Sequence, residues 1–373
     1  METKKLGFGL MRLPLTDKND PTSIDHEQLC LMVDSFLKNG FTYFDTAWMY
    51  CSFKSEEAIK QALVLRHPRE SYTLADKLHA AFLETKEDRD RIFNEQLRKT
   101  GVEYFDYYLI HDVGEKHYKI YKQLECFEWL AEKKKSGLVK KMGFSFHDNA
   151  DVLDRVLSEH PEVDFVQLQI NYLDWESEGV QSRKCYEVAC KYNKPVIVME
   201  PVKGGTLAKV APKIEEMFKN HRPDLSVPSW AIRFTADLDN VFMVLSGMSN
   251  MQQLNDNMSY MSNPEHLSDE EHLIIKRAVS IINSSTSISC TGCAYCIDGC
   301  PKNIPIPKYF SLYNADRQES DKKDWTPQNT YYQNLLSSFG SPDDCVECGQ
   351  CEAICPQHLT IIKHLKEISN YFG

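Results

Sequence analysis

The sequence predicts an α/β chain, a (β/α)8 barrel over residues 1–280 followed by a small, mainly α-helical domain over residues 281–373. Two observations predict it. Short apolar runs alternate with amphipathic stretches through the first part, and eight of the thirteen cysteines crowd into the second. A chain of 373 residues is long enough for one large and one small domain, and can bury a core without disulfide staples.

The strand candidates are Leu6–Met11, Phe41–Thr46, Tyr72–Lys77, Phe105–His111, Lys140–Ser145, Asp164–Ile170, Pro195–Pro201 and Val241–Gly247. Several are nearly continuous hydrophobic runs, as parallel strands covered on both faces should be. Between them, stretches such as Ser55–Leu65 and Asn149–Glu159 carry helical spacing. Eight such strands, most followed by a helix, suit a TIM barrel. A doubly wound sheet is the alternative. Against it, Gly7-Phe8-Gly9 lacks the third glycine of a dinucleotide-binding turn and runs into Arg12 and Pro14.

The helices expected in the tail lie around Tyr309–Asn314, Tyr331–Leu336 and Ile361–Ile368. They are interleaved with two copies of C-x2-C-x2-C-x3-C-P: Cys290, Cys293, Cys296 and Cys300 before Pro301, then Cys345, Cys348, Cys351 and Cys355 before Pro356. Three closely spaced thiolates can hold three corners of an iron–sulfur cubane, and in two-cluster ferredoxins the fourth cysteine of each run ligates the other cluster. By that exchange one [4Fe–4S] cluster takes Cys290, Cys293, Cys296 and Cys355, and the other takes Cys345, Cys348, Cys351 and Cys300. Structural zinc is the competing reading, but zinc sites more often use separated C-x2-C pairs. The tail therefore reads as an α-helical, ferredoxin-like domain with two [4Fe–4S] clusters. The other cysteines, Cys30, Cys51, Cys126, Cys185 and Cys190, read as buried or inert thiols. Cys51 stands next to a catalytic candidate.

A net charge of −11 argues against nucleic acid as a partner. The run Lys133-Lys134-Lys135 reads as the solvated end of a helix. No apolar run is long enough to span a bilayer, and Met1-Glu2-Thr3-Lys4-Lys5 leads into Leu6-Gly7 without the apolar stretch of a signal peptide. The expectation is a cytoplasmic protein with no membrane partner, its cysteines reduced and able to bind metal.

In a barrel, chemistry gathers at the C-terminal ends of the strands. Here successive ends carry Asp45, with Tyr50 in the loop behind it, then Lys77, then His111. Singly, each has a bland explanation: a helix cap, a surface ion pair, a satisfied core histidine. Together at one end they read as a site. Phe44-Asp45-Thr46-Ala47-x-x-Tyr50, Ala75-Asp76-Lys77-Leu78 and Tyr108-Leu109-Ile110-His111 resemble the catalytic tetrad segments of the aldo-keto reductases. So do Gly7–Pro14, Gly143-Phe144-Ser145, the strand with Gln167, and Ser246-Gly247-Met248 with Gln253, Leu254 and Asn257. With its tail the chain resembles the ferredoxin-containing branch of that family.

The resemblance implies a reductase of small-molecule carbonyls, or an alcohol dehydrogenase, with Tyr50 as general acid/base assisted by Lys77, Asp45 and His111. It also implies a nicotinamide cofactor, NAD(P)H, with Ser145 and Gln167 on the carboxamide and Asn257 at the adenine end. Amides from Gly247 to Ser249 could take a phosphate. Two features depart from the family. Gly247 and Gln253 are neutral where it often has cations, so no strong preference for NADPH is expected. Met199 stands where an aromatic usually stacks. The clusters imply electron transfer and a redox protein partner. Hydride moves two electrons and a cluster one, so coupling them needs a flavin or a radical-tolerant substrate, and no segment reads as a flavin site. The rival readings are an electron-transfer protein whose barrel is a binding or docking module, and an oxygen-responsive regulator. Candidate pocket residues are Trp48, Met49, Phe53, His79, His147 and Trp175.

Overall fold

A computed structural model describes residues 4–284, 287–318 and 325–373. Its centre is a closed parallel barrel in sequential order, β1 (Leu6–Gly9), β2 (Tyr43–Asp45), β3 (Thr73–His79), β4 (Phe105–Val113), β5 (Val139–Phe146), β6 (Phe165–Gln169), β7 (Val196–Met199) and β8 (Val241–Gly247), with β8 returning to β1. The closed order excludes the doubly wound alternative. β5 exceeds its expected span by one residue at each end, and two strands run further still at their C-terminal ends. β3 continues to His79 and β4 to Val113, where the register shifts and Asp112 takes a left-handed φ of 57°.

The helices sheathe the strands. In chain order they are α1 (His26–Lys38), the single turn α2 (Tyr50–Phe53), α3 (Ser55–Ile59), α4 (Glu87–Thr100), α5 (Glu115–Gln123), α6 (Cys126–Lys135), α7 (Ala150–Glu159), α8 (Ser182–Lys191), α9 (Pro212–His221), α10 (Val227–Ala236) and α11 (Met251–Met261). α3 runs on as a π-turn through Lys60–Val64, which accounts for the longer helix that periodicity suggests. Asn149 caps α7, accepting from the Asp151 and Val152 amides. α6 ends in the lysine run, but the run is not simply solvated. Lys133 pairs with Asp90 at 2.5 Å and covers the Phe93 and Trp129 rings, and Lys134 pairs with Asp164 at 2.6 Å. Lys133 thereby ties α6 to α4, and Lys134 ties it to the residue just before β6.

The barrel interior is filled, not hollow. Tyr43, Leu109, Phe165, Ile197 and Met243 form its floor, with Tyr43 and Tyr107 edge to face at 5.0 Å. Such large side chains need small neighbours. A Cβ on Gly143 would come within 2.6 Å of the Phe165 carbonyl oxygen, so the strand admits only glycine there without moving. The filled floor leaves space only at the other end, where the strands finish.

α12 (Asp269–Asn283) opens with a Ser268–Glu271 capping box and is tied to α10 by the buried Arg233–Glu271 pair at 2.6 Å. Beyond it lie α13 (Ile306–Arg317), α14 (Pro327–Ser338), α15 (Gln350–Ile354) and α16 (Ile361–Phe372). They share a second apolar core of Ile304, Ile306, Tyr309, Phe310, Tyr332, Leu365 and Ile368, which Val180 of the barrel side also joins. Among the described residues, no helix is long and apolar enough to cross a membrane.

Candidate active site

Strand alternation decides which side chains meet. On β3 Asp76 faces outward, accepting from Gln96 Nε2 at 2.8 Å, and Lys77 faces the barrel mouth. Lys77 is wholly buried. Its ammonium donates to Asp45, to the Thr46 carbonyl at 2.8 Å and to the Tyr50 hydroxyl at 3.3 Å. Tyr50 reaches it from α2, where Cys51 and Ser52 are left-handed and turn the chain back over the strand ends. The His111 ring meets the Tyr50 ring edge to face at 6.0 Å. Tyr121 fixes the ends of β3 and β4 together, accepting from the Ala80 amide at 2.8 Å and donating to the His111 carbonyl at 2.5 Å. The four residues singled out from the sequence thus come together at the mouth.

The electrostatics follow from burial. Desolvation raises the Tyr50 pKa, with Lys77 pulling against it, so the phenol is protonated at neutral pH. Desolvation also works against the Lys77 charge, but Asp45 and Tyr50 outweigh it and the ammonium is retained. His111 is held well below the ordinary histidine range by burial, then by His79 and Lys77, and is neutral. Its Nδ1 is buried without a hydrogen-bond partner among the described residues.

Beside this group lies a second, of which the sequence names His79 and His147 as pocket residues but not Asp112 or His117. Asp112, buried where β4 is irregular, faces His147 Nδ1 at 3.1 Å, His117 Nδ1 at 3.3 Å and His79 Nε2 at 3.6 Å. His79 Nδ1 accepts from the Ala81 amide, which leaves the proton on Nε2 and directs it at the carboxylate. Asp112 is thus surrounded by imidazoles, and its pKa lies well below the usual carboxylate range. Burial opposes that shift, but His147 and the ring nitrogens of His117 and His79 that face the carboxylate overcome it. The extra residues on β4 bring Asp112 here, and strand periodicity gives no sign of it.

Tyr50, His111 and Asp45 line one cavity of about 1070 Å³, with Lys77 behind them. Ser145, Gln167, Gly247, Ser249, Gln253 and Asn257 line the same cavity, and so does Met199. Gln167 Oε1 is buried and unpartnered among the described residues, as a position awaiting a donor should be. Ser145 Oγ accepts from the Asp112 amide at 2.8 Å and keeps its own proton. Other groups are already engaged. Asn257 donates to Ser246 and accepts from Tyr260, and the Ser249 amide is taken by Gln253 Oε1 at 2.7 Å. The amides near Gly247 are therefore less open to a phosphate than the sequence suggests. Arg12 from the β1 loop packs over Gly247 and faces Glu200 at 3.8 Å, a cation that the β8 segment itself lacks. Met49, His79 and His147 line the cavity, whereas Trp48, Phe53 and Trp175 are not among its lining residues. Cys51 Sγ sits 3.6 Å from the Leu10 carbonyl, with its pKa raised by burial.

In the tail, Cys290, Cys293, Cys296 and Cys355 surround one small cavity, and Cys300, Cys345, Cys348 and Cys351 a second. The two loops repeat one backbone pattern. Gly292 and Ala294 are left-handed at φ 71° and 65°, and Glu347 and Gly349 at the matching places at 54° and 75°. Asn303 and His358, each three residues past the last cysteine of its run, are left-handed too. Bulky residues adopt that region only under constraint, so the duplication extends to the curl of each loop around its cavity.

Residues 5–280 match the aldo/keto reductase family, about three-quarters of the chain. The chain belongs to the aldo/keto reductase family. Residues 289–360 match a 4Fe-4S dicluster domain. Aldo-keto reductases from Mycobacterium avium and Mycolicibacterium paratuberculosis are each 27% identical, over 64% and 73% of this chain and 78% and 87% of their own. The fold is also that of an aldo-keto reductase from Klebsiella pneumoniae solved with NADPH, at TM-score 0.57 and 19% identity over 74% of this chain and 90% of that one. This aldo/keto reductase is accordingly an oxidoreductase with a 4Fe–4S domain following its barrel.

The buried Lys77–Asp45 pair makes a stability prediction. Lys77→Met leaves a carboxylate uncompensated in a dry site, and should destabilise the protein by roughly 3–5 kcal/mol. Lys77→Met/Asp45→Leu removes both charges and should recover most of that loss. Denaturant melts of the two variants compare them directly; a double variant no more stable than the single one would mean that the charge is not what the site has to accommodate.

Proposed function

We propose that this aldo/keto reductase interconverts a small carbonyl compound and its alcohol in the cavity above Lys77, with Tyr50 as the proton donor. The observation that carries the reading is the wholly buried ammonium of Lys77 within 3.3 Å of the Tyr50 hydroxyl. When bound, a nicotinamide cofactor would supply the hydride. Ser145 and Gln167 are suited to hold its carboxamide, and the spare acceptor on Gln167 supports that assignment. Gly247, Ser249, Gln253 and Asn257 form the further wall of the cofactor groove.

The roles follow from the balance of charges. Burial keeps Tyr50 protonated until a carbonyl oxygen gathers negative charge. Lys77 then stabilises the phenolate left behind as the proton passes to that oxygen, and Asp45 keeps Lys77 charged and aimed. Neutral His111 orients the oxygen without competing as an acid. Tyr50 regains its proton from solvent through the open cavity. Positioned acid catalysis of this kind contributes roughly 10²–10⁴-fold.

We propose that the barrel, residues 1–280, is joined by a cluster domain, residues 281–373, holding two [4Fe–4S] clusters with exchanged fourth ligands. The two sets of four cysteines, each around its own cavity, support this. Cys293 and Cys348 are exposed, which suits one-electron exchange with a redox protein partner.

Two experiments test these assignments. Tyr50→Phe preserves the ring's packing and removes the proton; with an aldehyde panel and NADPH or NADH it should abolish turnover while the fold and iron content persist. Near-wild-type rates on a verified substrate would refute the mechanism. Anaerobic protein should contain about eight irons and eight acid-labile sulfides per chain. Cys300→Ser should disturb the centre at Cys345, Cys348 and Cys351 and spare its sequence neighbours, as Mössbauer or EPR spectra of the reduced protein can show. Loss confined to the centre at Cys290, Cys293 and Cys296 would contradict the exchange.

A further inference from the structure

The cavity has a wall that the barrel does not supply. Trp325, Asn329, Thr330, Gln333 and Asn334 line it together with Tyr50 and His111, and all five come from α14 or the residue pair just before it. α14 lies between the two cysteine runs. Cys300 before it and Cys345 after it face the same small cavity, so the segment carrying α13 and α14 is a loop closed at one cluster site.

The seat of α14 on the barrel is built. Asn334 is buried and donates from Nδ2 to the His147 carbonyl at 2.8 Å, and its Oδ1 accepts from the Lys116 amide at 3.3 Å. The Tyr331 ring meets His147 at 5.9 Å. Beneath Asn334 lies Gly114, in extended backbone at φ −165°; a Cβ there would stand 2.8 Å from Asn334 Cγ and overlap its amide. Gly179 makes a similar seat for α13, its amide donating to Ser311 Oγ at 3.2 Å and its α-carbon closed over by Leu312. Neither glycine is needed for a left-handed turn; both are needed for close approach.

We propose that the cluster domain completes the substrate site: α14 forms the wall that receives the part of the substrate beyond the carbonyl, and Asn334 is the positioning residue that sets it there. This rests on the carbonyl-reductase reading above. Asn334 is engaged by the barrel, and the wall offers the Gln333 amide, the Asn329 Nδ2 donor and the Thr330 hydroxyl, with the exposed Trp325 beside them. The Gln333 side chain bonds to no other described residue and is exposed toward the cavity mouth. Such a surface favours a carbonyl compound bearing hydroxyl groups over an aliphatic one of the same length.

Glyceraldehyde and propanal are a matched pair for the test, used with the intact holoenzyme. The wild type should favour glyceraldehyde by about tenfold in kcat/KM, the upper end of what one net hydrogen bond supplies. Gly114→Ala lies outside the catalytic and cofactor residues. It should raise KM for glyceraldehyde about tenfold, with kcat, the response to propanal, iron content and NADPH affinity little changed. Gln333→Ala, an exposed change with no folding burden, should narrow the preference in the same direction and decides the matter if Gly114→Ala loses iron. An unchanged glyceraldehyde-to-propanal ratio in Gln333→Ala would overturn the proposal while leaving the reductase reading intact. If neither aldehyde is reduced, the reductase reading fails first, and the wall is judged by equilibrium dialysis with labelled glyceraldehyde. Saturable binding that Gln333→Ala weakens would support it, and no saturable binding would overturn it.

Discussion

A single buried ammonium organises the mouth of the barrel. Lys77 is closed off from water and is held by Asp45, by the Thr46 carbonyl and by the Tyr50 hydroxyl. A charge in that position is costly unless its neighbours compensate it, so the β2 end, the β3 end and the turn at Tyr50 must be in place together. The left-handed Cys51 and Ser52 and the Tyr121 clamp across β3 and β4 serve that placement. The same constraint makes chemistry available. A phenol beside a fixed cation in a dry site loses its proton more easily than burial alone allows, and keeps it until a basic oxygen arrives.

The second constraint is the seating of the tail. A small domain with short helices has limited core of its own, and this one shares its apolar core with Val180 and rests on Gly114 and Gly179. Cys300 and Cys345, at the two ends of the α13–α14 segment, line one small cavity, so the proposed ligation on one side and close packing on the other would fix where α14 lies. On the proposed ligation, cluster binding and the shape of the cavity would be mechanically joined, even though hydride chemistry and one-electron chemistry are different in kind.

Much of this is readable from the chain alone, for identifiable reasons. Buried parallel strands are apolar runs, so a charged residue at the end of one, such as Asp45 or Lys77, stands out. Cysteine spacing is set by the size of a cubane, so the two runs are conspicuous. What stays hidden depends on register and distance. Asp112 belongs to the site because β4 runs past the apolar segment, and no periodicity marks that extension. Asn334 meets His147 across 187 residues of sequence, and Arg12 reaches Gly247 across the closure of the barrel. The lysine run of α6 illustrates the converse: it looks solvated in sequence, yet the Lys133 ammonium lies over two aromatic rings.

The pH dependence of the hydride-transfer step tests the coupling of Lys77 to Tyr50 most directly. In the proposed mechanism Tyr50 is the acid, so the rate should fall as pH rises through its pKa. Removing the cation takes away the influence that lowers that pKa. Single-turnover rates of wild type and Lys77→Met, measured where both are folded, should show slower reduction in the variant and a falling limb displaced to higher pH. A limb that stays in place while the rate drops would mean that Lys77 serves the architecture of the mouth and not the acidity of Tyr50, and would contradict the central claim.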